Sequence, residues 1–241
     1  MNQNDKRIWF RDICLKNGLN PTDSQIDQIN YYVVLLLEWN KKINIISRKD
    51  EENVWTYHIL HSISLLFKIN IRERSSIVDI GTGGGLPGIP IKIMRPDLHV
   101  LCIDSTGKKI NAVSQMIKDI KLDNIFAVWG RAEEYGSKSE YGGRFDFTIA
   151  RAVAPLKDLV CWSKAFLKSD SQKRQSAEVV LNNRENPDSP ALLAFKGGDL
   201  TREIETAKRK YQNLETKAVD LTFYGSEQLN ASDKKILIVH L

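Results

Sequence analysis

Residues Ser76–Pro90, SIVDIGTGGGLPGIP, constrain this chain more than any other stretch. A short apolar strand (Ile77, Val78, Ile80) runs directly into Gly81, Gly83, Gly84, Gly85 and Gly88. Glycine tolerates positive φ and lets the backbone approach a bound molecule closely. A strand, a glycine turn and a helix is how an α/β sheet seats a nucleotide at the carboxyl ends of its strands. Gly83, Gly85 and Gly88 satisfy G-x-G-x-x-G, which gains weight only from its surroundings. Here a strand precedes it, a helix-sized segment follows, and the next apolar run, HVLCID, ends in Asp104. A carboxylate there suits a ribose diol, because its two oxygens can accept from two hydroxyls.

Dinucleotides and S-adenosylmethionine both use this context. A pyrophosphate over the turn would sit badly beside Asp79, immediately before the first glycine. A sulfonium and an α-ammonium suit a nearby acid, so ligand charge favours S-adenosylmethionine. The alternative use of Asp79 is to bond the turn's own backbone amides.

Around this unit the pattern alternates. Strands are expected at 77–80, 98–103, 125–129, 145–150 and 191–195, with helices at 88–95, 106–121, 155–168 and 200–213. Alternating β and α predicts a parallel sheet covered on both faces. Two late strands, 216–224 and 234–241, are expected to form an antiparallel hairpin at its edge. The fold class expected is α/β: a Rossmann-like sheet, mostly parallel with a reversed edge strand, an arrangement common among S-adenosylmethionine-dependent methyltransferases. Ahead of it, residues 5–17, a segment from Thr22 or Asp23 to Trp39, and Glu51–Lys68 read as helices. The expected division is a helical extension, 1–70, and a methyltransferase unit, 71–241. The polar stretch 169–190 reads as a surface loop.

Bulk properties exclude several classes. No apolar run approaches the ~20 residues of a membrane span. Cys14, Cys102 and Cys161 are scattered and near no histidine cluster, so neither a zinc site nor a disulfide framework is expected. His58 and His61 lack further ligands at useful spacing and are read as packing residues, as are Trp39, Trp55 and Trp129. A charged, polar start and free cysteines predict a cytoplasmic protein, expected as a monomer. The net charge of +5 is thinly spread and permits a polyanionic partner.

DIGTGGGLPGIP, IDSTGKK, GRAEE and FDFTIARAVAPL together resemble the bacterial 16S ribosomal RNA methyltransferases of the glucose-inhibited division protein B family. EWNKKINIIS, HILHS, AFKGG and the terminal KKILIVHL are similar to it as well, so the likeness spans most of the chain. It implies methyl transfer from S-adenosylmethionine to N7 of a guanine in 16S rRNA, with that RNA or the small ribosomal subunit as partner. It implies that Gly81, Gly83, Gly85 and Leu86 line the cofactor, that Asp104 holds its ribose, that Ala132 and Glu133 meet its adenine side, and that Arg151 lies beside it. Three departures stand out: Gly84 where Pro or Ala is common, expected to loosen the turn; His61 where an Asp is usual; and a longer 169–190 connection.

Guanine N7 has a free lone pair and no proton to lose, so direct displacement needs no general base. Neither an Asn/Asp-Pro-Pro-Tyr nor a Pro-Cys follows the fourth strand; Arg151 does. It cannot act as a base, but can donate to guanine O6 or to a phosphate; the competing use is an ion pair with Asp146 or Asp158. Lys108, Lys109, Arg131 and Lys196 are the candidate RNA contacts. An NAD-dependent oxidoreductase and a non-catalytic RNA-binding module on the same fold are the other functions such a turn would serve.

Overall fold

A computed structural model describes residues 3–169, 184–229 and 233–241. Most of the expected 169–190 loop lies outside the described residues. The amino-terminal region holds α1 (Gln3–Lys16), α2 (Asp23–Lys42) and α3 (His61–Lys68). Thr22 caps α2 in a reciprocal box with Gln25, so two otherwise orphaned amide groups are satisfied.

The single helix expected over Glu51–Lys68 is broken into three. A 3₁₀ turn covers Arg48–Asn53, a π-helical turn covers Trp55–Leu60, and only then does α3 begin. Widened turns free carbonyls from the regular ladder and often occur at functional sites. Here the carbonyls of Tyr57 and His58 face Arg151.

From Ser76 the chain alternates: β1 (Ser76–Ile80), α4 (Gly88–Met94), β2 (His99–Asp104), α5 (Gly107–Ile120), β3 (Ile125–Trp129), α6 (Ala132–Gly136), β4 (Phe147–Arg151), α7 (Leu156–Phe166), β5 (Ala191–Gly197), α8 (Thr201–Lys210), β6 (Glu215–Asp220) and β7 (Lys234–His240). All five strands expected for the parallel sheet form, each within about two residues of its expected bounds; α6 was not anticipated, because five residues leave no periodicity to read. The sheet order is β3-β2-β1-β4-β5-β7-β6, with β1–β5 mutually parallel. β7 inserts between β5 and β6, antiparallel to both. The late hairpin thus forms as expected, and its last strand lies inside the edge.

Strand alternation divides the core. Val78 and Ile80 face one side, with Leu101, Ile103 and Ala150, under α7 and α8. Ile77 faces the other, with Cys102, Phe147, Ile149 and Leu193, and the α1–α3 residues pack in this same cluster. The order reverses between β1 and β4, whose neighbours lie in opposite directions. Ligands of open α/β sheets bind in the crevice at that reversal.

Candidate cofactor and acceptor site

The glycine turn closes over the carboxyl end of β1. Asp79 points to the face that α4, α5 and the amino-terminal helices cover, where it is fully buried. Its Oδ2 accepts from Thr82 Oγ1 at 2.6 Å and from Gly88 N–H at 2.9 Å. Burial raises its pKa to about 6, although both bonds pull downward. Asp79 does not line the pocket, so it fastens the turn and does not meet the ligand's cations directly. The reading of ligand sign from this acid is corrected accordingly: its alternative use, bonding the turn, is the one observed.

The pocket above the turn has a volume of about 620 Å³, within the range of small-molecule sites. Gly81, Gly83 and Leu86 line it. Gly83 has φ +57°, and a Cβ there would meet nothing within 4 Å, so its backbone faces open space. Gly85 does not line the pocket; a Cβ on it would strike Ile89, inside the fold. Of the glycines assigned to the cofactor, Gly85 is therefore a packing position. Gly84 also corrects an expectation. A Cβ there would lie 2.3 Å from Ile45 Cγ2 and 2.8 Å from Leu36 Cδ1, and its carbonyl accepts from Tyr32 Oη at 2.8 Å. This glycine tightens the turn against α2.

Asp104 ends β2 and lines the same pocket. Its Oδ2 accepts from Gly83 N–H at 2.9 Å and Oδ1 from Thr106 N–H at 2.8 Å. Each oxygen keeps accepting capacity, which is what a ribose diol would use. Ala132 and Glu133, opening α6, and Lys109, in the first turn of α5, complete this side. Arg131 lines the rim, 67% exposed and 3.7 Å from Glu133. Lys108 is exposed and outside the lining. Trp129, expected in the core, is instead 66% exposed, with Nε1 donating to Ser105 O at 3.1 Å. Trp55 is buried and Trp39 half-buried, as packing residues should be.

Arg151 ends β4 across the crevice. Nη1 donates to Tyr57 O at 3.3 Å and to His58 O at 3.5 Å, and Nη2 lies 3.3 Å from His58 Nδ1. The ion pair with Asp146 does not form: that carboxylate accepts from Ser76 and Lys168. A guanidinium only donates, so His58 Nδ1 must accept and Nε2 carries the proton, 3.3 Å from Asp50 Oδ2. Burial, then Arg151, hold the His58 pKa down to about 4 against the pull of Asp50. Burial and Arg151 likewise push that of His61 well down; its ring packs edge-on against Phe195. Both histidines are neutral at pH 7, and no metal-binding group of histidine, cysteine and carboxylate side chains occurs among the described residues.

Lys196 lies at the end of β5, where its Nζ donates to Glu203 Oε1 at 2.5 Å and Ala154 O at 3.0 Å. Its charge is paired inside the protein, which corrects its reading as a free phosphate contact. Sequence reasoning missed Tyr57, His58 and Lys234, which the chain brings to the crevice from outside the glycine motif. HILHS carried the signal for His58 and KKILIVHL that for Lys234; Tyr57 had none.

The pocket fits an adenosine-type cofactor: an open glycine backbone, a carboxylate with spare accepting capacity, and a cation opposite. Among the described residues no helix is long and apolar enough to cross a membrane. Comparison with solved structures supports the fold alone: a transferase from Pyrococcus horikoshii superposes with TM-score 0.50 at 12% identity, covering 82% of this chain and 64% of that one, less than two-thirds of its length. Sequence comparison is more specific. A ribosomal RNA small subunit methyltransferase G of Bacteroides fragilis is 40% identical over 82% of this chain and 87% of its own. One from Chlorobaculum tepidum is 35% identical over 98% of both. A model of the GidB family, described as rRNA small subunit methyltransferase G, matches residues 25–174. The chain belongs to the GidB family of small-subunit ribosomal RNA methyltransferases.

Proposed function

We propose that this protein transfers a methyl group from S-adenosylmethionine to N7 of a guanine in 16S rRNA. Residues 71–241 then carry the reaction, and 1–70 form the helical extension built onto them. The observation that carries the reading is the crevice at the β1/β4 reversal, where the open Gly83 backbone and Asp104 face Arg151.

When bound, S-adenosylmethionine supplies an activated methyl on a sulfonium. Gly81, Gly83 and Leu86 form the floor on which it would lie, Asp104 would accept from its ribose, and Ala132 and Glu133 would flank its adenine. N7 attacks with its own lone pair and loses no proton, so this chain has to orient and exclude water. The neutral His58 and the carbonyls of Tyr57 and His58 hold Arg151 in place. From there its fork can hold the acceptor by guanine O6 or by a phosphate. Lys109 and Arg131 line the pocket and Lys108 is exposed next to Lys109, and RNA phosphates would approach from there. We read the protein as a cytoplasmic monomer.

Incubation with labelled S-adenosylmethionine and undermethylated small subunits should label 16S rRNA at one guanine. No label from protein that binds S-adenosylhomocysteine would refute the reading. Arg151→Lys keeps the charge but loses the fork, and should lower kcat/KM by about 10²-fold, the cost of a displaced reacting group. Unchanged kinetics in that variant would remove Arg151 from the mechanism.

A further inference from the structure

A second cavity, of about 520 Å³, adjoins the cofactor pocket. The two share His61, Arg151, Ala152 and Val153, so whatever fills the second meets the first across Arg151. Its other walls come from β5, α7 and the start of β7. No carboxylate is found among the described residues that line it, whereas Arg151, Lys196 and Lys234 do. Lys196 is neutralised by Glu203. Lys234 is half-buried; its carbonyl accepts from Leu221 N–H, but among the described residues its Nζ has neither a hydrogen bond nor an ion pair. Burial and the nearby Arg151 both lower its pKa; only Asp50 opposes them. An ammonium partly removed from water beside a second cation is unfavourable until an anion completes the site.

Building on the methyl-transfer reading, we propose that this cavity seats the acceptor guanosine and that Lys234 binds its backbone phosphate. Phe195, Leu159 and Val153 supply the apolar wall that a base face needs. The volume suits one nucleotide. The choice of phosphate over base edge follows from the reaction. The Arg151 fork can already take the base edge at O6, and methylation at N7 leaves positive charge on the purine, so a second cation at the ring edge would oppose it. At the phosphate the same ammonium positions the nucleotide without acting on N7. A compact, strongly hydrated ammonium also suits a phosphate as a point charge.

The test uses the full chain saturated with S-adenosylhomocysteine and titrated with GMP or guanosine by ligand-observed NMR. Wild type and Lys234→Arg should prefer GMP by about tenfold, the weight of one charge-assisted hydrogen bond. Lys234→Met should bind GMP and guanosine alike, with S-adenosylhomocysteine affinity within about twofold of wild type, since that pocket lacks Lys234. Lys234→Gln reports the same loss should the methionine variant fail to fold. A GMP preference that survives in Lys234→Met or Lys234→Gln overturns the assignment, and so does a wild type without one. A wild type that prefers GMP yet methylates no ribosomal RNA would refute the proposed reaction and leave the nucleotide site standing.

Discussion

Asp79 is fully buried and His58 half-buried, both within reach of the Arg151 charge, and loss of water moves their titrations in opposite directions. The Asp79 carboxyl, about 3.9 when unfolded, rises to about 6 in the native protein. The native state therefore holds that proton more tightly, and this contribution to stability is present below pH 3.9 and lost as pH rises to about 6. His58, about 6.5 when unfolded, is held down to about 4. Its contribution is present above pH 6.5 and lost as pH falls to about 4. The two oppose each other over one window, so single variants expose them. In urea unfolding followed by circular dichroism, Asp79→Asn should gain on wild type as pH rises from 4 to 6.5. His58→Gln should gain as pH falls through the same range. Midpoints running parallel to wild type would show that neither group is shifted. The sequence itself contained the clue to Asp79. Alternation puts Asp79 with Ile77 on one strand face and Val78 and Ile80 on the other, so in a sheet covered on both faces this acid lies among apolar side chains and must find its partners inside the protein. Ligand charge was the wrong argument for this residue because it ignored that alternation.

At the level of elements, the contact between α2 and the glycine turn was beyond sequence reasoning. Tyr32 and Leu36 lie far from Gly84 in the chain, and nothing local shows that a helix crosses the turn closely enough to exclude a Cβ. Gly84→Ala should cost about 1–3 kcal/mol by overpacking, read as a lower thermal midpoint. On an Ile45→Ala background, which lacks the Cγ2 that would be struck, the same change at Gly84 should cost less. A Gly84→Ala variant as stable as wild type would mean that Ile45 and Leu36 give way freely. The broken helix over Arg48–Lys68 has the same origin. Its apolar spacing looks helical throughout, but the carbonyls that meet Arg151 come from the widened turn. Trp129 was misplaced because an aromatic at a strand end reads as core, whereas β3 is an edge strand with an exposed outer flank.

Across the whole molecule, the helices of residues 1–70 pack against α4 and α5 and share the core of one sheet face with Ile77, Cys102, Phe147, Ile149 and Leu193. Removing them would bare part of that core to water. The fragment 71–241 alone should accordingly show dye-binding apolar surface and no cooperative thermal transition. A fragment that melts sharply and binds S-adenosylhomocysteine would show that the extension is dispensable to folding. The alternation of strands and helices, the glycine turn, Asp104 after the second strand and Arg151 after the fourth were all determined by the sequence itself. Each depends on residues near one another along the chain, where backbone preference and side-chain periodicity act. Tertiary structure alone decided that Gly85 packs while Gly83 stays open, that Glu203 neutralises Lys196, and that Lys234 reaches the side of Arg151. Those outcomes depend on distances between segments far apart in sequence, set by how the two sheet faces pack, and no local pattern encodes them.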